Sequence, residues 1–540
     1  MSPRDTFMGS LTDVPQHIWF LRWTPWALAH VHNPLLTDRL DAPAGVNLMW
    51  NPLMPLLGFL LWPVTALAGP ITSYDVLATL APALSGAAAY AAARRLTGSR
   101  GGSLAAGFLY GFSPYVMSQA HGHVNLSMVP IPPLMLLLLH DIVVTRRRSA
   151  RHAGILLGLF AFAQLMLFEE LLASEAVMSA VALAILGLQH RDLVAARVRH
   201  LLRSLGVAVA VFVPLAAGPL AVQFAGPNRV SGQLYPSGPF STDVLNIVVP
   251  TDTQIVAPPW ALDITNRFGG DLPEWDAYLG IPLLLLLLAI VAWRRRDPLV
   301  RWAAWTGIAA LVLSMGPALR VGGTDTHVPL PWAVIDHVPV INNMLPARLA
   351  VYADLMVALL VAVALRDLAG LPRRQRRAVI LTAALAAITL VPKSFEPAKT
   401  TVPAFFTGAD VERIPEGSVA LVLPIASVHI PDAMLWQAES DMRFRMPGGY
   451  VLGSNILGRD GSELLDRVIS LEIGAGVPPL DAGVRRRLFA EMRAHGIESV
   501  IVGPDRRRAA MVADLTSLLG RPPLEVGGVD LWQNVGALTG

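Results

Sequence analysis

Apolar residues in this chain fall into long unbroken runs separated by short arginine-bearing connections. Runs near 74–93, 126–144, 152–168, 171–188, 203–223, 277–293, 302–318, 349–366 and 378–392 suit helices that cross a bilayer, for which about 17–25 residues are needed. A shorter run covers 102–117. The pattern predicts a mostly α fold, a polytopic transmembrane helical bundle of about 10–12 spans. Two regions depart from it. Near the start, PLMPLLGFLLWPVTALAG (52–69) is short and interrupted by Pro63, which suits a re-entrant or interfacial segment better than a crossing. From 395 to 540 charges are spread throughout and no run is long enough to span. There GSVALVLPIA and ESVIVG predict buried strands. DAGVRRRLFAEMRAHG and RAAMVADLTSLLG predict helices closed by Gly496 and Gly520, and LEVGGVDLWQNV predicts a hairpin turning at Gly527 and Gly528.

Charge orients the bundle. Arginines crowd five connections, at 94–100, 146–151, 191–203, 294–301 and 373–377, and the positive-inside rule makes these cytoplasmic. Residues 113–125, 168–171, 224–276, 319–348 and everything after about 393 are then external. The expected organisation is a transmembrane domain over 1–394, with a large first external loop at 1–73, and a soluble extracytoplasmic α/β or α+β domain over 395–540. An external loop of that length calls for a span before it, so a first transmembrane helix upstream of Met1 is expected, with a translocated N-terminus as the alternative. The location is a multi-pass plasma (cell) membrane protein.

Composition narrows the chemistry. The 540 residues are 54% hydrophobic and 15% charged, with a net charge of +3 that gives no sign of nucleic-acid binding. Cysteine is absent, which removes disulfides, a thiolate nucleophile and a Cys-ligated zinc. Catalysis must use oxygen and imidazole. In PQHIWFLRWTPWALAH, Trp19, Trp23 and Trp26 recur at i, i+4, i+7 and predict an aromatic stripe on a helix lying at headgroup level. Asp13 precedes it in a capping-box-like Asp-Val-Pro-Gln, so capping is one reading of that carboxylate.

The phrases DVPQHIWFLRW, NPLLTDRLDAPAGVNLMWN, YGFSPYVMSQAHGHVNL and AYLGIPLL resemble those of a large group of actinobacterial membrane proteins often assigned to the GT-C class of glycosyltransferases. The layout, a first external loop with an acid near its start, many spans and an outer C-terminal domain, resembles that class as well. The resemblance implies a sugar transferase whose donor is a polyprenyl-phosphate sugar, and it implies that an acid in the first loop is the general base. Asp13 is the matching position; Asp5, Asp38 and Asp41 compete for the role.

Other external residues fit such a reaction. His121 and His123, with Asn125, could bind phosphate, ligate a metal or shuttle a proton, and the metal requirement stays open because two histidines lack a third ligand. Glu169 and Glu170 sit at an outer boundary, where an acid must be paired or line a wet cavity. Glu169 is taken as a second catalytic candidate. Arg348, at the outer end of a span, suits the donor phosphate, with lipid-headgroup snorkelling as its alternative. The polar loop 224–276, with Asn228, Arg229, Asp252, Asp271, Glu274 and Asp276, suits an acceptor or donor lid as a whole, while each residue taken singly reads as ordinary external loop. Expected partners are membrane lipid, the lipid-linked sugar and a glycan, lipid or protein acceptor. A lipid-linked glycan transporter and a non-catalytic envelope assembly protein are the competing functions. Against transport, the spans carry few charges and no inverted repeat is visible.

Overall fold

The structure, a computed structural model, describes residues 6–230, 232–395, 397–454, 456–458 and 461–538. Asp5 lies outside the described residues. The chain forms two compact units: Leu77–Ala216 with Ser231–Phe395, and Met1–Val76 with Ala217–Val230 and Glu396–Gly540.

Six helices among the described residues are long and apolar enough to cross a membrane: Pro70–Thr97, Val124–Thr145, Ala150–Leu167, Glu169–Gln189, Arg191–Ala225 and Pro346–Gly370. Gly280–Arg294 and Pro298–Ser314 are shorter apolar helices. Arg373–Leu390 begins with four arginines among its first five residues. The 102–117 run is split. Its first helix, Arg100–Gly111, stops, and Ser113 Oγ then accepts from Val116 N at 3.3 Å to start Pro114–Gln119, with proline inside the new first turn. The basic stretch at 191–203, expected as a connection, is instead the opening of the Arg191–Ala225 helix.

The Ala350–Asp367 helix is the centre of the first unit, with every residue from Ala350 to Ala364 buried. It packs on Arg100–Gly111 and Pro298–Ser314. A side chain at Gly102 would put Cβ 2.5 Å from Ala362 O, so this crossing depends on a bare backbone.

In the second unit the Val14–Ala29 helix carries the tryptophan stripe, which packs into a protein core. Trp19 and Trp23 are fully buried and Trp26 nearly so, in one core with Phe405, Phe406, Met434, Trp436 and Phe444. The indoles stack at 5.5 Å from Trp19 to Trp23 and from Trp23 to Trp26. Their polar edges find partners inside: Trp19 Nε1 donates to Gln437 Oε1 at 2.6 Å and Trp23 Nε1 to Pro34 O at 2.9 Å. An indole satisfied in this way has no need of interfacial water. The 52–69 run forms two short helices, Pro55–Leu60 and Trp62–Ala68, broken at Leu61.

The C-terminal part follows its sequence pattern closely. Val419–Leu423 pairs in parallel with Ile497–Val502, and Val529–Trp532 joins antiparallel between Ile497–Val502 and Leu524–Val526. The hairpin turns at Gly527 and Gly528, both at positive φ, which glycine adopts without steric cost. Thr6–Phe7 adds an antiparallel pair with Ala398–Lys399, so the start of the chain and the start of the C-terminal stretch lie in one sheet.

Candidate active site

Asp13 stands immediately before the Val14–Ala29 helix, but its side chain makes no capping hydrogen bond. Its backbone is in the right-handed helical region rather than the extended conformation that aims a cap at the following N–H groups. Instead Tyr450 Oη donates to Oδ1 at 2.9 Å and Thr12 Oγ1 to Oδ2 at 3.2 Å. Gln16 Nε2 donates to the carbonyl of Tyr450, fixing that tyrosine against the helix. Two hydroxyl donors thus orient the carboxylate. Of the competing acids, Asp41 is buried with Ser454 Oγ at 3.3 Å, while Asp38 is exposed.

In the helical unit, polar side chains form a continuous chain. Arg348 lies between two carboxylates: Nη1 donates to Glu170 Oε2, and Nη2 donates to Glu274 Oε1 at 2.8 Å. Glu170 Oε1 also accepts from Leu345 N at 2.8 Å. His123 Nδ1 lies 3.9 Å from Glu274 Oε1 and 2.9 Å from Gln119 Oε1. Gln119 Nε2 donates to Asp276 Oδ2 at 3.2 Å. Glu274 and Asp276 are both buried. Burial opposes the charge on Glu274, yet Arg348, His123 and the hydrogen bonds it accepts hold its carboxyl below the ordinary range. For Asp276, burial, reinforced by Glu274, outweighs the hydrogen bond from Gln119 and the pull of Arg348 and pushes the carboxyl well above that range.

This arrangement brings together Arg348 and His123 but leaves out His121 and Glu169. His121 Nδ1 donates to Met117 O at 3.0 Å and its ring lies 4.5 Å from Phe395. Burial holds His121 below the ordinary imidazole value, with Asp252 and Lys393 among the charges acting on it. Lys393, one of two lysines in the chain, pairs with Asp252 at 2.9 Å. Glu170, not Glu169, takes the arginine, because consecutive helical residues diverge by about 100° around the axis. With both carboxylates charged the triplet Glu170–Arg348–Glu274 has a net charge of −1. Three of the five guanidinium N–H donors are thereby engaged, Nε and Nη2 with Glu274 and Nη1 with Glu170. Among the described residues no group of three His, Asp or Glu side chains could hold a metal ion.

The folded chain has the architecture of the GT-C membrane glycosyltransferases. It superposes on the arabinofuranosyltransferase AftD from Mycobacteria with a TM-score of 0.57 at 15% identity, over 98% of this chain and 38% of AftD. ArnT from Cupriavidus metallidurans matches with a TM-score of 0.50 at 12% identity, over 99% of this chain and 95% of ArnT. A second structure of that ArnT, bound to undecaprenyl phosphate, gives 0.44 at 12% identity, over 99% of this chain and 96% of ArnT. The present chain thus spans under half the length of AftD. No curated protein matches it in sequence. Residues 2–391 match the family described as a domain of unknown function, DUF6311, and the chain belongs to that family.

Proposed function

We propose that this protein is an integral membrane glycosyltransferase that transfers a hexosyl or pentosyl group from a polyprenyl-phosphate donor to a cell-envelope glycan, lipid or protein on the external face. The observation that carries the reading is the Asp13 carboxylate, oriented by Tyr450 and Thr12 and not engaged as a cap, in a chain of this fold. In the reaction an acceptor hydroxyl oxygen forms the new bond to the anomeric carbon. The bond from that carbon to the phosphate oxygen breaks, and the leaving polyprenyl phosphate keeps the electron pair. Asp13 takes the hydroxyl proton as general base. A lipid-phosphate donor accords with the undecaprenyl phosphate bound by ArnT. In this reading Arg348 holds Glu170 and Glu274 in place.

The test is incubation of the purified chain with decaprenyl-phosphate sugars and membrane acceptors, with products read by mass spectrometry. Asp13→Asn should keep the fold, since no cap is lost, and should lower turnover by about 10²- to 10⁴-fold, the usual contribution of a positioned base. Near-normal transfer by the folded variant would overturn the assignment.

A further inference from the structure

The second unit contains a cavity of about 280 Å³ at the far end of the Val14–Ala29 helix from Asp13. The lining residue on that helix, Trp23, is ten residues beyond Asp13, about 15 Å along the axis at 1.5 Å per residue. We infer that this cavity is a saccharide subsite that holds one neutral sugar ring.

Four observations support this. The first is size: with on the order of 30 Å³ of liquid per water molecule, the cavity has room for about nine waters, enough for a monosaccharide. The second is charge. The lining includes the carboxylate of Asp38 and neither lysine nor arginine, which disfavours an anion and favours a polyol. Asp38 is exposed, and its nearest cation, Arg39 Nε, is 4.0 Å from Oδ1, so its oxygens face solvent rather than a tight ion pair.

Third, the lining combines hydrogen-bonding groups with ring faces. Asn33 and Asp38 supply amide and carboxylate groups, and His32 presents an exposed imidazole stacked on Trp26 at 5.4 Å. A sugar likewise has hydroxyls at its edge and an apolar C–H face, and pockets that fix orientation with a few polar groups on an apolar lining are the common binding design. Fourth, the walls are rigid. Leu36 pairs with Asn47 and Thr37 with Val46. Gly45 is at φ +75 where a Cβ would lie 2.6 Å from Thr37 O, and Asn228 Nδ2 clamps the opposite wall by donating to Ala44 O at 2.9 Å and Gly45 O at 2.7 Å.

As a place for a distal sugar of the acceptor, the subsite rests on the glycosyltransferase reading, but its binding is measurable without turnover. The experiment is saturation-transfer NMR on the full chain in nanodiscs. The probes are methyl α-mannopyranoside, methyl β-galactopyranoside, methyl α-arabinofuranoside and inorganic phosphate. At least one glycoside should bind saturably and phosphate should not. Asp38→Asn and His32→Ala, both exposed positions whose folding is checked by thermal unfolding, should each weaken that glycoside about tenfold or more. Asp13→Asn should leave it unchanged, which separates failure of the base assignment from failure of the subsite. Absence of glycoside binding, preference for phosphate, or full affinity in both cavity variants would overturn the inference.

Discussion

Arg348 joins the buried carboxylate of Glu274 to the largely buried one of Glu170, and the cost of removing it is the clearest residue-scale consequence. Arg348→Ala should destabilise the protein by about 3–5 kcal/mol, the usual result of leaving buried charges without their partner. The triple change Arg348→Met, Glu170→Gln and Glu274→Gln should recover most of that loss, because no charge is then left buried and unpaired. Thermal unfolding in detergent reads both. A melting temperature for Arg348→Ala equal to that of the parent would mean the triplet does not exist. The same residues show where sequence reading stops. Arg348 is visible as an unusual external arginine, and the acidic pair 169–170 as an unusual outer boundary. Which of the two acids faces inward depends on rotation about an almost uniformly apolar helix, and nothing in the sequence of Glu169–Gln189 fixes that rotation. Glu274 and Asp276 look like ordinary loop polars until folding buries them.

Among the elements, the Glu463–Ile473 helix carries an acid at the wrong end. Glu472 lies in its last turn, where the helix dipole already disfavours negative charge. Burial, with Asp505 adding to it, pushes this carboxyl up to about 7 although Oε1 accepts from Ile425 N at 2.6 Å. In the unfolded chain a glutamate titrates near 4.3. An acid whose folded value is raised gives stability that is complete below the unfolded value and is lost as pH climbs through the folded one. This part of the stability should therefore fall between about pH 4.3 and 7. Glu472→Gln keeps an acceptor for Ile425 N and removes the titration. It should match the parent at pH 4 and exceed it at pH 8 by about 1–2 kcal/mol, after allowing for solvent reaching a partly exposed group. Denaturant unfolding at the two pH values checks this; a gain of equal size at both would point to packing instead. Elements of this region were largely legible because their signals are local: period-two apolar runs for the strands, glycines at φ +57 and +89 for the hairpin, Gly520 at φ +70 for a helix end. The tryptophan stripe was legible as a helix face but not as a protein core. Its partners Phe405, Phe406 and Trp436 lie nearly four hundred residues away, and periodicity carries no information about them.

At the scale of the whole molecule, the sidedness expected of the chain rests on charge and on pairing within one unit. The Arg373–Leu390 helix opens with Arg373, Arg374, Arg376 and Arg377, and its 18 residues rise about 27 Å, close to the roughly 30 Å hydrocarbon thickness. By the positive-inside rule the arginines at that start are expected in the cytoplasm and the following residues on the opposite side. Thr6–Phe7 pairs with Ala398–Lys399 and Tyr450 hydrogen-bonds Asp13, so the first loop must share the side of the C-terminal stretch. The chain has no cysteine, which makes the expectation open to direct labelling. Val31, 94% exposed, and Glu525, also exposed, report on the two parts of that unit, and Arg147 reports on a basic connection. In intact cells a membrane-impermeant maleimide should label Val31→Cys and Glu525→Cys, and should label Arg147→Cys only after permeabilisation. Labelling of Arg147→Cys in intact cells with Glu525→Cys protected would invert the topology. It would place Asp13 in the cytoplasm, away from an externally presented donor. Labelling of Val31→Cys and Glu525→Cys from opposite sides would instead break the strand pair at the start of the chain.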